Sequence, residues 1–113
     1  MIFGKKSKSV TQKEKSKFRR SSKWKNFRNY LRRKRCVDYI TQKPLYAGWN
    51  LHHLDLDKNH YEDISDESKF ECLNKKTHDV VHFLYQYYIK DKMVIARLTT
   101  LLEKMKIING GEL

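Results

Sequence analysis

The chain has 113 residues, enough for one small domain and too few for two well-packed ones. Its 25 Lys and Arg outnumber 13 Asp and Glu, a formal charge of +12 that favours a polyanionic partner. No apolar run approaches the roughly 18 residues that span a bilayer, and Met1-Ile2-Phe3 is too short for the apolar core of an export signal.

The charge is unevenly spread. Residues 1–35 hold 15 basic side chains and one acidic one, Glu14, whereas residues 36–113 hold ten basic and twelve acidic. A cationic arm therefore joins a nearly neutral body. Two cysteines, Cys36 and Cys72, make neither a disulfide framework nor a four-cysteine zinc site, so reduced thiols and a cytoplasmic setting are expected.

Taken in chain order, residues 4–23 offer almost nothing apolar to offset the entropy of ordering, and a basic disordered tail is expected over 1–21, ahead of a folded domain over 22–113. Ser22 suits the N-cap of a helix in which Trp24, Phe27, Tyr30 and Leu31 recur at helical spacing. Lys25, Arg28, Arg32 and Arg35 fall on its other faces. With Arg19, Arg20 and Arg33 they are the candidate phosphate contacts, which position a nucleic acid without reading its sequence. Burial of the aromatics is preferred over their stacking on bases.

Pro44 and Gly48 punctuate a turn region, and residues 49–54 suit a short strand. Residues 55–68 are polar and acidic, a connecting loop with room for one helical turn. Residues 70–73 alternate as a second short strand. From Thr77 the pattern turns helical, with Val81, Leu84, Tyr85 and Tyr88 on one side. Asp91 can cap a further helix over 91–108, carrying Val94, Ile95, Leu98, Leu101, Leu102 and Met105, which Gly110-Gly111 ends. The expected class is α+β: helix, two short strands, helix, helix. The last helix can fold back on the core or pair with another copy as a homodimer, and the sequence leaves both open.

All five histidines lie between positions 52 and 82. His52 and His53 are adjacent on the predicted second half of a hairpin. His78 and His82 are four apart, so on a helix their imidazoles share a face and can chelate one ion. A strand supplying one ligand and a helix two leaves coordination positions for water and substrate. His60 stands outside these pairs and reads as an ordinary core or surface histidine rather than a ligand.

His52-His53-Leu54, Phe70-Glu71-Cys72-Leu73 and His78-Asp79-Val80-Val81-His82 together resemble the HNH (ββα-metal) endonucleases, over roughly residues 36–84. The segment from Cys36 to Leu45 is similar to the turn preceding the first strand in phage-encoded members. The resemblance implies a small ββα-metal (His-Me finger) core and hydrolysis of DNA phosphodiesters, with double-stranded DNA as partner, no membrane, little sequence specificity and, for a phage protein, a host cytoplasm. It implies one divalent ion (Mg²⁺, Mn²⁺, Zn²⁺ or Ni²⁺) on His52, His78 and His82, and His53 as the general base. Two departures stand out. Positions where many members carry CxxC pairs are Asp38/Thr41 and Asn74/Thr77 here, so no structural zinc is expected and aromatic packing must serve instead. The central Asn of the family falls on Lys69, with Asn74 nearby, able to brace the loop holding His53 or to cap a helix. Asp55 can lend a hydrogen bond to a ligand histidine or stand as a loop carboxylate. The alternative is a non-catalytic basic nucleic-acid-binding protein with a structural metal site. A basic RNA- or ribosome-binding protein would leave the histidine cluster unexplained.

Overall fold

The computed structural model describes residues 11–110 and is α+β. Its elements are α1 (Gln12–Arg19), α2 (Ser22–Arg35), β1 (Asn50–His53), β2 (Phe70–Leu73), α3 (Lys75–Lys90) and α4 (Met93–Ile108), with single 3₁₀ turns at Lys58–His60 and Glu67–Lys69. The chain divides into two compact units between Thr77 and His78, within the first turn of α3.

The first unit is built around an antiparallel hairpin. β1 pairs with β2 in the register Asn50–Leu73, Leu51–Cys72, His52–Glu71 and His53–Phe70. Since successive strand residues point to opposite faces, Leu51, His53, Phe70 and Cys72 share one face. Against that face gathers the core of Phe18, Trp24, Leu31, Leu45 and Trp49, with Phe27, Tyr61 and Ile64 packed at its margin. Burial also raises the pKa of the Cys72 thiol, which therefore acts as a small protonated hydrophobe.

The N-terminal arm differs from the expected tail. Residues 12–19 form α1, and the basic side chains do not prevent it because Thr11 and Glu14 make a reciprocal capping box: the Thr11 hydroxyl accepts the Glu14 N–H at 3.1 Å and the Glu14 carboxylate accepts the Thr11 N–H at 2.8 Å. The one apolar residue of α1, Phe18, is buried beside Trp24 and Tyr61, with ring centroids 5.4 and 5.7 Å away. The rest of the expected tail, residues 1–10, lies outside the described residues. α2 begins one residue earlier in its cap than the sequence suggests, with Ser21 accepting the Trp24 N–H. Trp24 and Leu31 are buried and Phe27 is packed against the core, as expected for core aromatics, whereas Tyr30 is exposed.

Two of the arginines read as phosphate contacts also hold the fold together. Arg28 donates to the Trp49 carbonyl at 2.8 Å, and its guanidinium lies 3.8 Å from the centre of the Trp49 ring. Arg35 donates to the carbonyls of Phe70 and Glu67 and to the Glu71 carboxylate, which fastens the end of α2 to β2. These bonds satisfy carbonyls at the strand entrance that water would otherwise have to reach.

Between α2 and β1 the chain turns tightly. Val37 bridges Pro44, and Cys36 and Gln42 take left-handed conformations at φ 68° and 61°. Asp38, fully buried, holds this turn: one carboxylate oxygen accepts the N–H groups of Ile40 and Thr41 at 2.8 and 2.9 Å, and the other accepts the N–H of Asn74 at 2.8 Å. The Thr77 hydroxyl also bonds this carboxylate. Positions 38, 41, 74 and 77 thus meet on a carboxylate. Burial pushes the Asp38 pKa up, but the bonds from Thr41, Asn74, Thr77 and Ile40 outweigh it and hold the group below its ordinary value.

Candidate metal centre

β1 ends in the two adjacent histidines, and strand alternation sends them to opposite faces of the hairpin. His52 shares its face with Glu71. α3 begins immediately after β2 and Asn74, so its first turns carry Thr77, His78 and, one turn on, His82. The rings of His78 and His82 meet edge to face with centroids 4.5 Å apart. His52, His78 and His82 each offer one ligand nitrogen, and all three nitrogens lie within 4.8 Å of one another. His52 and His78 are half-buried and His82 is exposed.

The donor set fits a borderline divalent cation. Three neutral imidazoles suit Zn²⁺ or Ni²⁺ better than Mg²⁺, which prefers oxygen ligands. Among the described residues no other group of histidine, cysteine or carboxylate side chains offers three such ligand atoms.

His53 is held very differently. Its ring is sandwiched between Trp24 and Tyr61, at centroid distances of 5.3 and 4.6 Å and interplanar angles of 11° and 9°, with Phe70 edge-on at 5.0 Å. Its Nε2 lies 2.9 Å from the Tyr61 carbonyl oxygen. A carbonyl only accepts, so Nε2 carries the proton and the lone pair sits on Nδ1. Burial lowers the His53 pKa, with the Tyr61 carbonyl opposing it, which favours the neutral ring.

Two further expectations resolve differently. Asp55 takes neither of a ligand histidine's nitrogens; its carboxylate accepts from His60 Nδ1 at 2.8 Å and lies 3.6 Å from Lys69 Nζ. That pairing raises the pKa of His60, and Asp55 is lowered by the Asp57 N–H and by His60. Asn74 braces the chain ahead of β1 rather than the loop after His53: its side-chain oxygen accepts the Tyr46 N–H and its amide donates to the Pro44 carbonyl, both at 3.1 Å. His53, Asp55, His60, Asp63, Asp66, Lys69 and Phe70 line a small pocket.

Arg19, Arg20, Lys25, Arg32 and Arg33 are exposed. Arg19 donates to the Tyr61 hydroxyl at 2.9 Å and Arg20 to the Ser16 hydroxyl at 2.6 Å. Sequence reasoning missed the Tyr61 carbonyl as the partner of His53, because a backbone acceptor in an irregular loop leaves no residue signature. It also missed Asp38, although an Asp three residues before a Thr in a tight turn is an Asx-turn signal.

The comparisons add no relative: no family model, no curated protein and no solved structure matches this chain.

Proposed function

We propose that this chain is a divalent-metal-dependent DNA endonuclease of the HNH type, with a ββα-metal core formed by β1, β2 and the first turns of α3. The observation that carries the reading is the gathering of His52, His78 and His82, from a strand and a helix, with ligand nitrogens within 4.8 Å. An ion bound there would supply Lewis-acid stabilisation of the phosphate and the departing oxygen. The chain's own residues do the rest. His53, neutral and with its lone pair on Nδ1, accepts the proton of the attacking water as the new O–P bond forms and the P–O3′ bond breaks. The Trp24–Tyr61 sandwich and the Tyr61 carbonyl fix the tautomer and the ring plane, which removes a reorganisation cost at the moment of proton transfer. By the family resemblance, the products are 5′ phosphate and 3′ hydroxyl ends. Arg19, Arg20, Lys25, Arg32 and Arg33 engage phosphates, which gives salt-sensitive affinity with little sequence preference.

One observation favours a second reading, a non-catalytic nucleic-acid-binding protein with a structural metal. His53 lies on the opposite face of β1 from His52, and the pocket beside it is walled by three aspartates, which repel a phosphate. Supercoiled plasmid incubated with the protein and Mg²⁺, Mn²⁺, Ni²⁺ or Zn²⁺ separates the two. Metal-dependent nicking that EDTA stops and His53→Ala abolishes is expected. Nicking that persists in His53→Ala removes that residue as the base, and binding without nicking in any metal establishes the second reading.

A further inference from the structure

We infer that residues 80–108 form a self-association seam that a second copy of this chain covers. The inference concerns the second unit alone and does not depend on the nuclease reading. Neither α3 nor α4 contains a buried residue. Many large apolar side chains of this unit stand open, from 37% exposed at Leu98 to 81% at Ile108, while Val81, Leu84, Val94 and Ile95 are half-buried. A lone helix of 16 residues is marginal in water, so α4 needs cover to hold its conformation.

These side chains recur at three and four, and the break at Asp91 and Lys92 divides them between the two helices: Val80, Leu84 and Tyr87 on α3, and Val94, Leu98, Leu101, Met105 and Ile108 on α4. Tyr88, Ile95 and Leu102 widen the stripe along one edge, as in helices that face a bundle core, whereas Lys90, Arg97 and Lys104 line the other edge.

Charge points to a second copy as the occupant. Symmetric pairing sets like residues near like, so it requires a stripe without net charge. Residues 78–113 carry five Lys and Arg against four Asp and Glu, in contrast to the strongly cationic 1–35. Asp91, in the break between the two helices, is occupied inside its own chain: its carboxylate accepts the Met93 N–H at 2.9 Å and lies 3.4 Å from Arg97 Nη1. The area is also sufficient. Half-exposed large side chains, each able to bury about 150–250 Å² when aromatic and somewhat less when aliphatic, together offer on the order of 1,000 Å² per copy, against about 800 Å² per partner in a stable dimer.

Light scattering on the full chain across micromolar concentrations tests this. The expected result is a mass of two copies or more that falls on dilution. Leu101→Glu, in the seam, should give a monomer at every concentration, whereas Thr100→Glu, outside it, should associate as the native chain does. Both tryptophans, Trp24 and Trp49, are buried in the first unit, so their emission shows whether that unit stays folded. Should Leu101→Glu disturb that emission, Leu101→Ala takes its place and should weaken association about tenfold, the equivalent of 1.4 kcal/mol. A native chain that is monomeric throughout overturns the inference, as does a seam variant, folded by its tryptophan emission, that associates like the native protein.

Discussion

A carboxylate oxygen of Asp38 accepts the backbone N–H of Asn74 at 2.8 Å across 36 positions of sequence. Asn74 in turn spends its side chain on Pro44 and Tyr46, so the turn before β1 and the start of α3 are tied at one buried point. Both candidate ligand elements leave from this tie: β1 with His52, and α3 with His78 and His82.

Asp38→Asn should therefore destabilise the protein by about 2–4 kcal/mol, because an amide cannot accept at both ends and leaves the Asn74 N–H facing another donor. Asp38 also titrates below its ordinary value, so its contribution is fully present above an unfolded pKa of about 3.9 and is lost as pH falls through the folded one. Urea denaturation of both proteins from pH 7 downward should show the gap between them closing in acid. A gap that stays constant or widens contradicts this role.

Phe18→Ala should cost about 3 kcal/mol, since it empties a ring site between Trp24 and Tyr61. Trp24 emission should also shift as water reaches the site. An arm that does not pack on the core would leave both thermal stability and emission unchanged.

Arg28 and Arg33 test which cations serve the fold and which serve the proposed nucleic-acid surface. Arg28→Ala removes the bond to the Trp49 carbonyl and the stack on its ring, and should lower stability by about 1–3 kcal/mol. Arg33→Ala and Lys25→Ala, on exposed sites, should leave stability within about 0.5 kcal/mol while reducing the salt slope of DNA binding by about one unit each. Equal slopes for the native chain and the two surface variants would exclude these residues from the interface.

Much of the framework was legible because periodicity and punctuation agreed locally. β2 falls on the expected residues 70–73, β1 lies inside 49–54, and the His78–His82 pair lies on one helix as its spacing requires. What could not be read depended on long-range partners. Phe18 looks like an isolated apolar residue in a cationic run until Trp24 and Tyr61 stand beside it. Arg28 and Arg35 cannot be told from surface cations until the carbonyls of Trp49 and Phe70 are placed beneath them. The separate faces of His52 and His53 follow from strand alternation, yet only the Tyr61 carbonyl fixes which nitrogen of His53 holds the proton.

Calorimetric titration of the full chain with Zn²⁺ and Ni²⁺, beside His52→Ala, His78→Ala and His82→Ala, tests the centre most directly. The account predicts one ion per chain at neutral pH and at least about tenfold weaker uptake in each variant, since every substitution removes a ligand. Native protein that takes up neither ion, or variants that bind as tightly as the native chain, would contradict it.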